Sequence, residues 1–118
     1  MGVSIFEFEK AVAALEIALS HEKNDMNRDA TIQRFEFVVE LAWKTTRRVM
    51  GTSTSAPKDV VREMARNGYI EDPAIWLEAI EVRNLTSHTY NEDQAERTYQ
   101  FARSFIQDAK KLVSVLKK

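Results

Sequence analysis

Apolar residues recur along this chain at intervals of three and four, the period of helices that each bury one face rather than of strands. Ile5, Phe8, Val12, Leu15 and Leu19 form the first series, with Ala11 and Ala18 on the same side, and predict a helix over residues 4–21. After a polar interval at 22–27, Ile32, Phe35, Val39, Ala42 and Val49 form one stripe of a longer helix over 28–50, with Gly51 as its stop. Phe37, Leu41 and Trp43 widen that stripe. Apolar over more than one face, this helix suits either the centre of a bundle or a surface for a second subunit.

The remaining boundaries come from turn and capping residues. GTSTSAP at 51–57 is the one loop of conspicuous turn composition, and Ser55 with Pro57 is expected to cap and open a short third helix through Val60, Val61, Met64 and Ala65. Asn67 and Gly68 end it. Asp72 followed by Pro73 starts a fourth helix, because the carboxylate accepts free amides and proline has no donor to waste there. That helix buries Ile75, Trp76, Ala79 and Ile80 and reaches at least Arg83 or Leu85. Asn91 with Gln94 resembles a capping box and opens a last helix carrying Ala95, Tyr99, Ala102, Phe105, Ile106, Ala109, Leu112, Val113 and Leu116, with lysines 110, 111, 117 and 118 favouring its C-terminal end. Strand signals and internal repeats are lacking. The expected architecture is all-α: an up-and-down antiparallel bundle of four long helices plus one short helix, forming a single domain over residues 1–118.

Composition narrows the function classes. A chain of 118 residues, 44% hydrophobic, can bury one core. Its 17 Lys+Arg against 18 Asp+Glu leave a net charge of -1, so no global field draws in nucleic acid or an anionic membrane, and any RNA binding must be local. The lack of cysteine removes disulfides, thiolate metal sites and thiol catalysis, and suits a reducing compartment. Phe6, Glu7, Phe8, Glu9 and Lys10 break any signal-like apolar run, and no stretch approaches the roughly 18 apolar residues of a membrane span. A soluble, cytoplasmic protein is expected.

Against that background one octapeptide carries chemistry. RNLTSHTY, residues 83–90, holds Arg83, one of the two histidines at His88, and Tyr90. It spans the end of the fourth helix and the turn into the fifth, so Arg83 sits on a rigid element while His88 and Tyr90 precede a helix N-terminus, a natural phosphate site. On the residues alone two readings stand: a reactive arginine–histidine pair, or a histidine satisfying loose carbonyls at a helix end beside a packed tyrosine.

The spacing of Arg83, His88 and Tyr90 resembles the arginine, four-residue gap, histidine, one residue, tyrosine motif of the HEPN superfamily, with Asn84 after the arginine as in many relatives. The likeness extends along the chain: TIQRFEFVVELAWKTTRRVM is similar to the signature helix of the branch called nucleotidyltransferase substrate-binding proteins, and APKDVVREMARNGYIEDPAIWLEAIEVRN continues it. The resemblance implies a helical bundle that pairs as a homodimer, with both motifs facing a shared cleft. It implies metal-independent ribonuclease activity without a cofactor, in a toxin-antitoxin module whose other member is a minimal nucleotidyltransferase. Some such partners add AMP to the motif tyrosine, here Tyr90. An alternative within the same branch is a non-catalytic subunit that binds nucleotide or substrate for the nucleotidyltransferase.

The implied chemistry has a physical basis in these residue types. Cleavage through the RNA's own 2′-hydroxyl needs a base, an acid and positive charge on the five-coordinate phosphate. A histidine, with an ordinary pKa of about 6.5, serves as either near neutrality, and Arg83 can grip two phosphate oxygens through its planar fork. Asn84 or Thr86 either positions RNA or shapes the turn. One chain supplies one such histidine, so acid and base would be divided across a two-fold axis. AMP on Tyr90 would compete for the positive charge and fill the cleft.

Other groups read more plainly. His21 has no arginine at the required distance and is taken as a capping or solvated residue. Glu36, Glu40 and Lys44 form one helical row, read as a surface ion-pair ladder, and no metal site is expected. Arg34 and Trp43 either contact the motif or belong to the core. Lys44, Arg47 and Arg48 make a basic cluster that either guides RNA or a partner or is a solvated face. With no glycine-rich phosphate loop and no nucleotidyltransferase motif, any nucleotide transfer would occur on a partner.

Overall fold

The computed structural model describes residues 5–86 and 91–118, which form five helices: α1 Phe6–Ser20, α2 Asp25–Met50, α3 Pro57–Arg66, α4 Pro73–Leu85 and α5 Glu92–Leu116. The all-α expectation holds. At 1.5 Å per residue the 26 residues of α2 and 25 of α5 are about 39 and 37 Å long. They set the molecule's long axis of 41 Å.

Local chemistry explains most boundaries. Asp72 accepts from the Ala74 N–H at 2.9 Å and Pro73 follows, so α4 starts where that pair predicted. Asn91 likewise accepts from the Gln94 N–H at 2.9 Å and opens α5. The capping box is only half made, since Gln94 Oε1 is enclosed and has no partner among the described residues. Gly51 adopts φ +69°, a left-handed conformation that glycine reaches without a Cβ clash, and stops α2 there. The start of α2 and the cap of α3 differ from the sequence reading. Helix α2 begins at Asp25 rather than 28, because the Asn24 side chain accepts from the Asn27 N–H at 2.8 Å and residues 25–27 become its first turn. Helix α3 follows Ala56, which makes no side-chain cap, so Ser55 does not cap it and Pro57 alone marks the start.

Helix α2 is central, packing on α1, α3, α4 and α5. Phe8, Leu15, Phe35, Val38, Val39, Met64, Val82, Phe105 and Leu112 are almost wholly enclosed. At the middle, Phe105 meets Phe35 edge-on at 5.7 Å, Trp76 edge-on at 4.8 Å and stacks on Phe101 at 5.5 Å. The wide apolar surface of α2 is not fully used. Leu41 and Trp43 pack partly against the core, whereas Phe37 is 56% exposed and Val49, expected inside, is 36% exposed. Among the described residues no helix is long and apolar enough to cross a membrane.

Candidate functional site

Arg83 lies in the last turn of α4, where the helix's exposed carbonyls favour positive charge. Thr86 caps that end: its hydroxyl donates to the Arg83 carbonyl at 2.7 Å and its N–H to the Asn84 carbonyl. Of the two roles open to Thr86, the described geometry is that of shaping the turn. The Arg83 guanidinium crosses to α2, where Nη2 lies 3.2 Å from Glu40 Oε1. The other oxygen of Glu40 takes Lys44 Nζ at 2.8 Å, so one carboxylate holds two cations. Arg83 Nε is enclosed and has no hydrogen-bond partner among the described residues. The arginine is therefore held through one corner of its fork, in a half-buried setting where a paired charge is worth more than on open surface.

The other flank of the motif is fixed by a different arginine. Arg28, in the first turns of α2, is only 6% exposed and reaches Glu92 in the first turn of α5. Nη1 donates to Glu92 Oε2 at 2.8 Å and Nη2 to Oε1 at 3.2 Å, the bidentate fork that lysine cannot reproduce. Hydrogen bonding from Arg28 and its charge hold the Glu92 carboxyl below the ordinary 4.5. One turn on, Lys23 donates to Glu96 at 2.6 Å while lying 5.3 Å from the centre of the Tyr99 ring. The Glu96 carboxyl is lowered by the bond from Lys23 and by one from Gln100. Thus α4 ends and α5 begins at positions tied to α2 and to the α1–α2 connection. His88 and Tyr90 lie between those ends, outside the described residues.

Of the other candidates, Asn84 sits beside Arg83 in the last turn of α4, and Lys44, Arg47 and Arg48 cluster with Trp43 at the C-terminal end of α2. Arg34 instead lines a groove between α1 and α2 with Glu7, Lys10 and Phe37. His21 is exposed and ends α1, its N–H donating to the Ala18 carbonyl at 3.3 Å, as expected of a capping or solvated residue. The surface ladder read for Glu40 is half the story: the bond to Lys44 is there, but the bond to Arg83 runs between helices and leaves no trace in local spacing. Arg28 was missed for the same reason. The only sequence signal was an acidic residue directly after the Asn91 cap, which needs a cationic partner only once it is set against another helix.

With this geometry in hand, likeness to known proteins carries weight. Residues 4–118 match the family model described as nucleotidyltransferase substrate binding protein like. A Haemophilus influenzae protein named probable ribonuclease HepT is 33% identical over 94 residues, covering 73% of this chain and 64% of that relative's length. A solved structure from Thermus thermophilus superposes with a TM-score of 0.85 at 30% identity, covering 94% of this chain and 99% of that one. A second, from Haemophilus influenzae, is described as revealing the fold of a substrate binding domain of a nucleotidyltransferase. It gives a TM-score of 0.85 at 27% identity, covering 98% and 100%. The match over nearly the whole sequence bears out the resemblance read from the motif and the signature helix: this chain belongs to the nucleotidyltransferase substrate binding protein like family.

Proposed function

We propose that this protein is a metal-independent endoribonuclease, the toxin-like member of a two-component module, active as a homodimer and restrained by a minimal nucleotidyltransferase. The observation that carries this reading is the setting of Arg83: a guanidinium fixed at the end of α4 by Glu40, beside a helix start clamped by Arg28. Its support among relatives is the name probable ribonuclease HepT.

In this mechanism one His88 takes the proton from the 2′-hydroxyl and the 2′-oxygen attacks the adjacent phosphorus. The bond to the 5′-oxygen breaks, and the His88 of a second copy returns a proton to that leaving oxygen. The products are a 2′,3′-cyclic phosphate and a 5′-hydroxyl. Arg83 binds the phosphate as charge builds on it, exchanging part of its contact with Glu40 for the non-bridging oxygens. Asn84 lines the same site. Restraint follows if the partner catalyses attack of the Tyr90 hydroxyl on the α-phosphorus of ATP with loss of pyrophosphate, because the attached phosphate then occupies Arg83.

A second copy has a surface to meet. Phe6, Ile17, Met26 and Phe37 are each at least 56% exposed, and all lie on α1 and α2. Phe37 is three residues from Glu40, so a contact there adjoins the site. The second reading, a non-catalytic substrate-binding subunit of a nucleotidyltransferase, is favoured by the family's description and by that of the Haemophilus structure. Incubating the protein with RNA in chelator separates them. Cleavage that leaves cyclic phosphate ends and disappears in His88→Ala supports the ribonuclease. With the nucleotidyltransferase and ATP present, mass spectrometry should show added AMP that is absent from Tyr90→Phe.

A further inference from the structure

The basic residues of α2 form more than a charged face. Trp43, Lys44, Arg47, Arg48 and Ser55 line a concave site of about 310 Å³ where the end of α2 meets the 51–56 loop. Its rim is fixed from several sides. Arg47 Nε donates to the Thr54 carbonyl. The Thr52 hydroxyl bonds Glu63 and accepts from the Thr54 N–H at 3.2 Å. Hydrogen bonding from Thr54 and then Thr52 keeps the Glu63 carboxyl below its usual value. Inside this frame the half-buried indole of Trp43 lies 5.6 Å from Lys44 Nζ, so an aromatic face and a cation are presented together. Arg48 is exposed beside them. Lys44 also shares the Glu40 carboxylate with Arg83, so one residue of the concavity and the motif arginine meet the same side chain. Seven residues of helix separate Glu40 from Arg47, a rise of about 10 Å.

We propose that this concavity is a subsite for single-stranded RNA, in which one base stacks on Trp43 while flanking phosphates meet Lys44, Arg47 and Arg48. It rests on the ribonuclease reading for its use, since it holds the strand next to the phosphate that Arg83 grips. Planar aromatic surface interleaved with guanidinium and ammonium groups is what unpaired nucleic acid selects, because every base has a face to stack and every linkage a charge.

The test uses binding, not cleavage. A fluorescein-labelled 2′-O-methyl RNA, whose blocked 2′-oxygen cannot attack, is titrated with the full chain and followed by anisotropy. Wild type should bind it and prefer it to the same sequence as a duplex. Trp43→Ala should weaken binding by roughly 5- to 100-fold and Trp43→Phe much less. Arg48→Ala, at an exposed position, should weaken it at low salt and flatten the logarithmic salt dependence by about 0.7. Wild-type affinity in both Trp43→Ala and Arg48→Ala would overturn the subsite, as would equal binding of the duplex. So would failure of wild type to bind the strand while Arg48→Ala abolishes association with a nucleotidyltransferase, which would make this a protein contact. If the strand binds as described but RNA is never cleaved, the subsite stands and the ribonuclease reading fails.

Discussion

Glu40 is the residue on which the site turns. Its two oxygens go to different helices' cations, Arg83 across the bundle and Lys44 one turn along. Removing its charge leaves the arginine without its orienting partner while the fold keeps its core. Glu40→Gln should shift stability by less than about 1 kcal/mol, as for other part-exposed pairs, yet lower RNA cleavage, and thermal unfolding read beside a cleavage assay checks both. Arg83→Ala should cost roughly 100-fold in turnover, and Arg83→Lys should recover little of it because an ammonium cannot fork across two phosphate oxygens. Arg28 makes a pH prediction. Glu92 titrates below its ordinary 4.5 in the folded chain, so the bond to Arg28 adds stability above that value and loses it as pH falls through the lower one. Unfolding temperatures measured from pH 7 to pH 3 should show Glu92→Gln less stable than wild type at neutrality, with the gap closing toward pH 3. A gap independent of pH would deny the clamp its charge.

At the scale of elements, what was legible in the sequence was what local physics decides. The pairs Asp72–Pro73 and Asn91–Gln94 and the stop at Gly51 each act through neighbours in the chain, and all three sit where they were read. Apolar spacing placed the aromatic centre too: Phe105→Ala, which strips contacts from Phe35, Phe101 and Trp76, should destabilise by about 3–5 kcal/mol in denaturant unfolding. Periodicity counts from the first buried residue, however, so it passed over the polar first turn of α2. It also assigned Val49 to the interior, though at the end of α2 the neighbouring helices no longer cover it. The two ties that frame the site, Arg83–Glu40 and Arg28–Glu92, join residues 43 and 64 positions apart and depend on packing that no local pattern encodes.

For the whole molecule, the family follows from the length of the match, and the proposed function rests on how the motif's two flanks are held. A single chain offers one histidine of the motif, so the mechanism needs two copies, and the exposed Phe37 of α2 is where charge should separate them. Phe37→Asp should shift light-scattering mass from dimer toward monomer and lower cleavage in parallel, without a loss of helix content. A dimer that survives would place the two-fold elsewhere. The most direct measurement is cleavage of a defined RNA by the purified protein without its partner, in chelator, beside His88→Ala and Arg83→Ala. Wild type should leave 2′,3′-cyclic phosphate ends, and both variants should leave almost none. Equal cleavage by all three proteins, or none by any, would refute the ribonuclease.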